Sequence, residues 1–156
     1  MLPSAPVIRA YADDDWPAVS RIHDAARLDE LRDSAGVEAF LTLEATAEEE
    51  GLFDGDLWVA TVDGEVAGFA AYDEGELTWL YVDPGRYRSG VGRALLRHAL
   101  AASGDERVET TVLDGNPAAF ALYLAEGFAV VETRVGKLAG NERFEATGHI
   151  MEWCRP

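Results

Sequence analysis

One stretch constrains this chain more than any other: Tyr81 to Leu100, YVDPGRYRSGVGRALLRHAL. An apolar run ends at Asp83-Pro84, a loop of arginine, glycine and serine follows, and Gly90-Val91-Gly92 opens an amphipathic segment. A strand that turns through glycines into a helix leaves free backbone N–H groups at the positive end of a helix dipole. Such a turn suits a diphosphate. Gly90 and Gly92 allow a ligand to lie against the main chain. Arg86, Arg88 and Arg93 supply positive charge in an otherwise acidic protein.

The two commonest nucleotide sites do not fit. A P-loop ends in Gly-Lys-Ser/Thr, whereas Gly92 is followed by Arg93-Ala94. A Rossmann turn needs a third glycine, and Leu95 stands in its place. Asp114 imitates the acid expected about 20 residues on, but too little chain follows it for the second half of such a sheet. The strand before the turn also follows a hairpin rather than a βαβ unit.

The 156 residues suffice for one domain with a sizeable core, predicted to span 1–156. With 48% hydrophobic residues the chain is expected to be globular. No apolar run approaches the ~20 residues of a membrane span, and MLPSAPVIRAYADDD lacks a signal peptide's basic segment and apolar core. Cys154 is the single cysteine, which suits a reducing, cytoplasmic setting. His23, His98 and His149 are scattered, so no metal is expected. Net charge is −16, from 29 acids and 13 bases, among which Lys137 is the only lysine. That field disfavours nucleic acid and anionic membranes as partners. It is either a solubility surface or an attraction for cationic amines.

The apolar period gives the order of elements. Val7 to Tyr11 is a predicted strand, Asp14 to Asp29 a helix, and Ser34 to Glu50 a second helix stopped by Gly51. Leu57 to Val62 and Glu65 to Tyr72 are strands joined at Asp63-Gly64, a strong hairpin signal. Glu76 to Val82 is the fourth strand, with Leu77, Trp79 and Tyr81 as alternate residues facing one layer of core. A helix over Gly90 to Ala102 follows, then a strand over Arg107 to Leu113. Asn116-Pro117 begins the last helix, ended by Gly127. Phe128 to Thr133 and Gly148 to Trp153 are the final strands, with a polar loop at Gly136 to Ala146 between them. The fold class is α/β, built on a large sheet.

LYVDPGRYRSGVGRALL resembles the acetyl-CoA loop of the GNAT superfamily of N-acetyltransferases, Gln/Arg-x-x-Gly-x-Gly/Ala. NPAAFALYLAEGFAVVE, from Asn116 to Glu132, is similar to a second family block, N-x-x-A-x-x-x-Y-x-x-x-G-F. VIRAYADDDWPAV and LWVATVDGEVAGFAAY resemble the family's opening strand and helix and its central hairpin, so the likeness covers nearly the whole chain. Tyr87 departs from the pattern, standing where Gln or Arg is usual.

The resemblance implies a mixed, mostly antiparallel seven-stranded sheet with helices on both faces and a splayed parallel pair, the fourth and fifth strands. It implies acetyl-CoA as acyl donor, its pantetheine arm lying in the splay against the backbone of Leu80, Tyr81 and Val82. It also implies amide contacts to the pyrophosphate from Tyr87, Arg88, Ser89, Gly90, Val91, Gly92 and Arg93. The N–H of Val82, or of its neighbour, would polarise the thioester carbonyl. Asn116, Phe120 and Tyr123, at spacings a helix face allows, complete the implied donor site. Tyr123 is the implied partner of the departing thiolate. Glu76 is the implied base, with Glu74 and Asp73 as rivals. The implied acceptor is a primary amine on a small molecule, amino acid, polyamine or peptide, attacking directly in a ternary complex. A homodimer also fits the family. Asp29, Glu30, Phe40, Glu44, Asn141, Glu142 and Phe144 are candidate linings of the acceptor pocket. A non-catalytic acyl-CoA-binding module of the same fold is the alternative.

Overall fold

The computed structural model describes residues 4–156. Residues 1–3, part of the stretch read as lacking a leader, lie outside these. Seven strands form one sheet in the order β1-β2-β3-β4-β5-β7-β6. They are β1 (Val7–Ala10), β2 (Asp56–Val62), β3 (Glu65–Asp73), β4 (Glu76–Val82), β5 (Arg107–Leu113), β6 (Ala129–Leu138) and β7 (Asn141–Cys154). All neighbours pair antiparallel except β4 and β5. The helices are α1 (Trp16–Arg32), α2 (Leu43–Thr46), α3 (Val91–Ser103) and α4 (Pro117–Ala125).

Local chemistry explains the framework. Asp63 and Gly64 both adopt positive φ, as a two-residue turn matching strand twist requires. Asp15 closes the entry to α1: it takes two hydrogen bonds from Arg9, at 2.7 and 2.8 Å, and one from the Ala12 N–H. Val19, Ile22 and Ala26 turn one stripe of α1 inward, with Val19 and Ile22 meeting Val59, Phe69 and Ala71 of the sheet. On the opposite face α3 buries Val91, Leu95, Leu96, Ala99 and Leu100, and Tyr123 of α4 joins the same cluster. Each fully buried leucine there contributes about 1.5–3 kcal/mol over an exposed one. Helices therefore cover both faces.

Four expectations need correction. The helix over 34–50 is broken into a 3-10 turn at Val37–Ala39 and the single α-turn α2. Gly36 at φ +96 and an extended Phe40 interrupt it, and Thr42 starts the chain again by accepting from the Ala45 N–H. The polar loop at 136–146 is instead the far end of a long β6–β7 hairpin, turning at Ala139–Gly140. Its residues are largely exposed, so the ladder of backbone hydrogen bonds holds it without an apolar alternation to announce it. The helix α1 runs on to Arg32. The fourth lies in β4, where a bulge alters the alternation of side chains.

Candidate active site

The strands β4 and β5 share one ladder pair, Glu76 opposite Glu109, and then part. Two bonds hold the junction: the Glu109 N–H to the Gly75 carbonyl at 2.9 Å, and the Thr110 hydroxyl to the Leu77 carbonyl at 3.0 Å. Beyond it a gap opens in the middle of the sheet. Successive N–H groups of a strand point to opposite edges. Because the Asp83 N–H bonds the Ala67 carbonyl of β3 at 2.8 Å, the N–H groups of Val82 and Leu80 face the gap.

A bulge re-aims the side chains of β4. Trp79 pairs with Ala71 and Leu77 with Tyr72, so Thr78 is the extra residue. Leu77 consequently packs with α3 and α4, whereas Trp79 and Tyr81 pack on the α1 side. The three do not face one layer of core, because the inserted residue reverses the alternation between them.

At the far end of the gap stands the glycine turn. Gly90 caps α3 at φ +86, a left-handed conformation natural to glycine, and no side chain caps the helix. The N–H groups of its first turn, including Val91, Gly92 and Arg93, are thus left for a ligand. A Cβ at Gly92 would make only ordinary contacts, 3.5 Å from Val82 and Leu122. The packing around Gly92 therefore does not require glycine, whereas a ligand against the main chain benefits from it. Arg88 holds φ +63, an uncommon conformation for a side-chain-bearing residue. Ser89 turns its hydroxyl to the Arg86 carbonyl. Arg86 pairs with Glu65, and Arg93 with Glu126 at 2.7 Å. Tyr87, half exposed, donates to Asp29 of α1 at 3.1 Å. Burial and that bond push its pKa up, so the phenol stays neutral.

On the α1 face the gap opens into a cavity of about 340 Å³. Leu77, Thr78 and Trp79 of β4 and Thr111 and Leu113 of β5 form its floor; α1 and the β6–β7 turn form its walls. Glu76 lines it and is half-buried. Burial first, and then the charges of Glu109 and Asp73, raise its carboxyl pKa above the usual carboxylate range. Glu74 sits in the exposed turn at φ +44, and neither it nor Asp73 lines the cavity. His23 is buried, 2.9 Å from Asp24, and burial lowers its pKa against the pull of that acid. It lies against Trp79 and Tyr81 as a neutral ring.

Tyr123 closes the gap from the α3 face. It is 5% exposed, edge-on to Phe128 at 5.3 Å. Burial drives its pKa well up, with the Thr110 hydroxyl opposing in part, so its proton is retained at neutral pH. Phe120 packs on the same cluster and meets the His149 ring edge at 5.4 Å. Asn116 caps α4, its side-chain oxygen accepting from the Ala119 N–H at 3.4 Å.

Of the expected acceptor linings, Glu30 and Asn141 line the cavity. Asp29 is engaged by Tyr87, and Phe40 and Phe144 pack with Leu31 and Leu138. Glu44 lies at a separate surface hollow, and Glu142 is exposed. The sequence reading missed a network in this cavity: the Tyr81 hydroxyl donates to Glu30 at 2.8 Å, and Arg27 bonds both Glu30 and, at 3.3 Å, the Ala139 carbonyl. Burial works against the Arg27 charge, but Tyr81 and Glu30 more than offset it. An Arg–Glu pair three residues apart on a helix looks like ordinary surface chemistry, so the sequence carried no signal that it would be covered.

Among the described residues no helix is long and apolar enough to cross a membrane, and no group of three His, Cys, Asp or Glu side chains is placed to hold a metal. No curated protein matches the sequence. Solved structures resemble the whole fold. A ribosomal-protein-S18-alanine N-acetyltransferase from Escherichia coli is 25% identical at a TM-score of 0.67, with 96% of this chain and 94% of that one covered. A GCN5-related N-acetyltransferase from Kribbella flavida is 22% identical at 0.72, covering 97% and 98%. A Salmonella typhimurium protein solved with acetyl-CoA is 21% identical at 0.69, covering 97% and 94%. The family model described as the acetyltransferase (GNAT) domain matches residues 53–130, half of the chain and the part that carries β4, the glycine turn and Tyr123. With the splayed pair, the uncapped α3 and this match in agreement, the chain belongs to the GNAT acetyltransferase family.

Proposed function

We propose that the protein is an N-acetyltransferase that moves the acetyl group of acetyl-CoA to a primary amine by direct attack in a ternary complex. The observation that carries this reading is the gap itself: it opens beside a cavity lined by Glu30, Glu50 and Glu76 on one face, and a buried phenol, Tyr123, packs on the other. The chain's residues fit the donor. First-turn amides of α3 suit a pyrophosphate, and the N–H groups of Leu80 and Val82 suit a pantetheine arm and a thioester oxygen. In the transfer, the amine nitrogen bonds the acetyl carbon and the carbon–sulfur bond breaks. Glu76 takes the ammonium proton, directly or through water, before attack; as the adduct collapses Tyr123 gives its proton to the departing thiolate, and the second proton, lost by the nitrogen as the amide forms, restores the phenol through solvent.

Incubation with acetyl-CoA and a panel of primary amines, followed by detection of free thiol, tests the reading. Amine-dependent thiol release is expected. Tight acetyl-CoA binding with no release across a broad panel would overturn it and leave a non-catalytic acyl-CoA-binding module.

Tyr87 makes a finer prediction. In this reading it steadies the phosphate turn against α1 instead of touching phosphate. Losing one exposed hydrogen bond to a carboxylate costs about 1 kcal/mol. Tyr87→Phe should therefore raise the acetyl-CoA KM about fivefold at unchanged kcat, and Asp29→Ala, which removes the acceptor, should do the same. If Asp29→Ala leaves KM untouched while Tyr87→Phe raises it, Tyr87 acts on the ligand directly.

A further inference from the structure

The cavity's charges are arranged to reject one large class of amines. Among the described residues its lining holds one permanent cation, Arg27, against the acids Glu30, Glu50 and Glu76. His23 adds no charge, since burial holds its ring neutral. Arg27 is already committed: one nitrogen bonds Glu30 and reaches Tyr81 at 3.5 Å, and another bonds the Ala139 carbonyl. Its side chain and that of Glu30 are only 15% and 17% exposed. Drawing Arg27 away to meet an incoming carboxylate would leave Glu30 nearly buried without its partner. Separating a buried pair in that way is strongly unfavourable. The remaining walls, Leu41, Trp79, Leu113 and Leu138, offer apolar surface.

Resting on the acetyltransferase reading, we propose that the acceptor is a small primary amine with an apolar body and no carboxylate, and that the Arg27–Glu30–Tyr81 network excludes free amino acids. The cavity is near the small end of the roughly 300–1,000 Å³ usual for ligand pockets, which suits such an amine. An α-carboxylate entering beside Glu76 and Glu50 would meet like charge and no available cation. A carboxylate taken out of water beside like charge, with no cation to pair it, is far costlier to accommodate than a methylene.

Matched pairs that differ only in the carboxylate decide the matter: 3-methylbutylamine against leucine, and 2-phenylethylamine against phenylalanine. Each is titrated calorimetrically into protein saturated with coenzyme A, and thiol release from acetyl-CoA is followed in parallel. The amines are expected to bind at least about a hundredfold more tightly than their amino acids. Glu30→Gln, which frees the Arg27 charge while keeping an oxygen for Tyr81, should shrink that ratio at least tenfold. Equal or tighter binding of the amino acids, or no binding of either member at millimolar concentration, would overturn the proposal. So would an unchanged ratio in Glu30→Gln. Preferential amine binding without thiol release would uphold it while counting against acetyl transfer, so the two readings fail separately.

Discussion

Replacing Tyr123 with phenylalanine should lower kcat by about a hundredfold, the lower range of general acid catalysis, and leave the dissociation constant of acetyl-CoA nearly unchanged. The ring packs among apolar side chains of the α3 face and against Phe128, and phenylalanine fills that space without the hydroxyl. Because burial raises the phenol's pKa, wild-type Tyr123 stays protonated across the working pH range and always has a proton to give. Rapid-mixing measurement of thiol release, beside a binding titration, separates the chemical step from affinity. A variant that turns over at the wild-type rate would show that the thiolate leaves without help from Tyr123.

Glu76→Gln should cost about 10²- to 10³-fold in kcat/KM at neutral pH, since no other acid of the turn lines the cavity. The pH profile gives the sharper reading. A base works in its deprotonated form, so wild-type activity should rise with pH through the Glu76 pKa, which burial, Glu109 and Asp73 hold above the usual carboxylate range. Activity is lost as pH falls through that value. Glu109→Gln removes a neighbouring negative charge, eases ionisation of Glu76, and should move the rising limb to lower pH. In Glu76→Gln the limb should vanish, leaving only the slope set by the free-amine fraction of the acceptor. Persistence of the wild-type rate and limb would exclude Glu76 as the base.

Legibility of this fold from sequence followed the strength of the local signal. The β2–β3 hairpin was plain because Asp63-Gly64 is chemically suited to its turn. The helix α3 was plain because its apolar stripe and opening glycine agree with each other. The β6–β7 arm was not, for β6 is exposed along nearly its whole length and alternation carries no contrast there. The bulge at Thr78 was equally hidden. It is a backbone event, and a one-residue slip sends Leu77 to one core and Trp79 to the other without altering the composition of the strand. Within the site, Glu76 and Tyr123 were candidates because their types and positions resemble a family pattern; the fold sets Glu76 in the cavity lining and Tyr123 in the cluster on the other face. Arg27 and Glu30 could not, because only the return of the chain at Ala139, more than a hundred residues later, covers them.

The single ladder pair between β4 and β5 has a mechanical consequence. It cuts the sheet into two panels, β1 to β4 on one side and β5, β7 and β6 on the other, riveted at Glu76–Glu109 and otherwise bridged by packing across the helical layers. An extended molecule that satisfied the edge of β4 would take the place of a missing strand and stitch the seam, so occupancy of the slot and stiffness of the protein are expected to rise together.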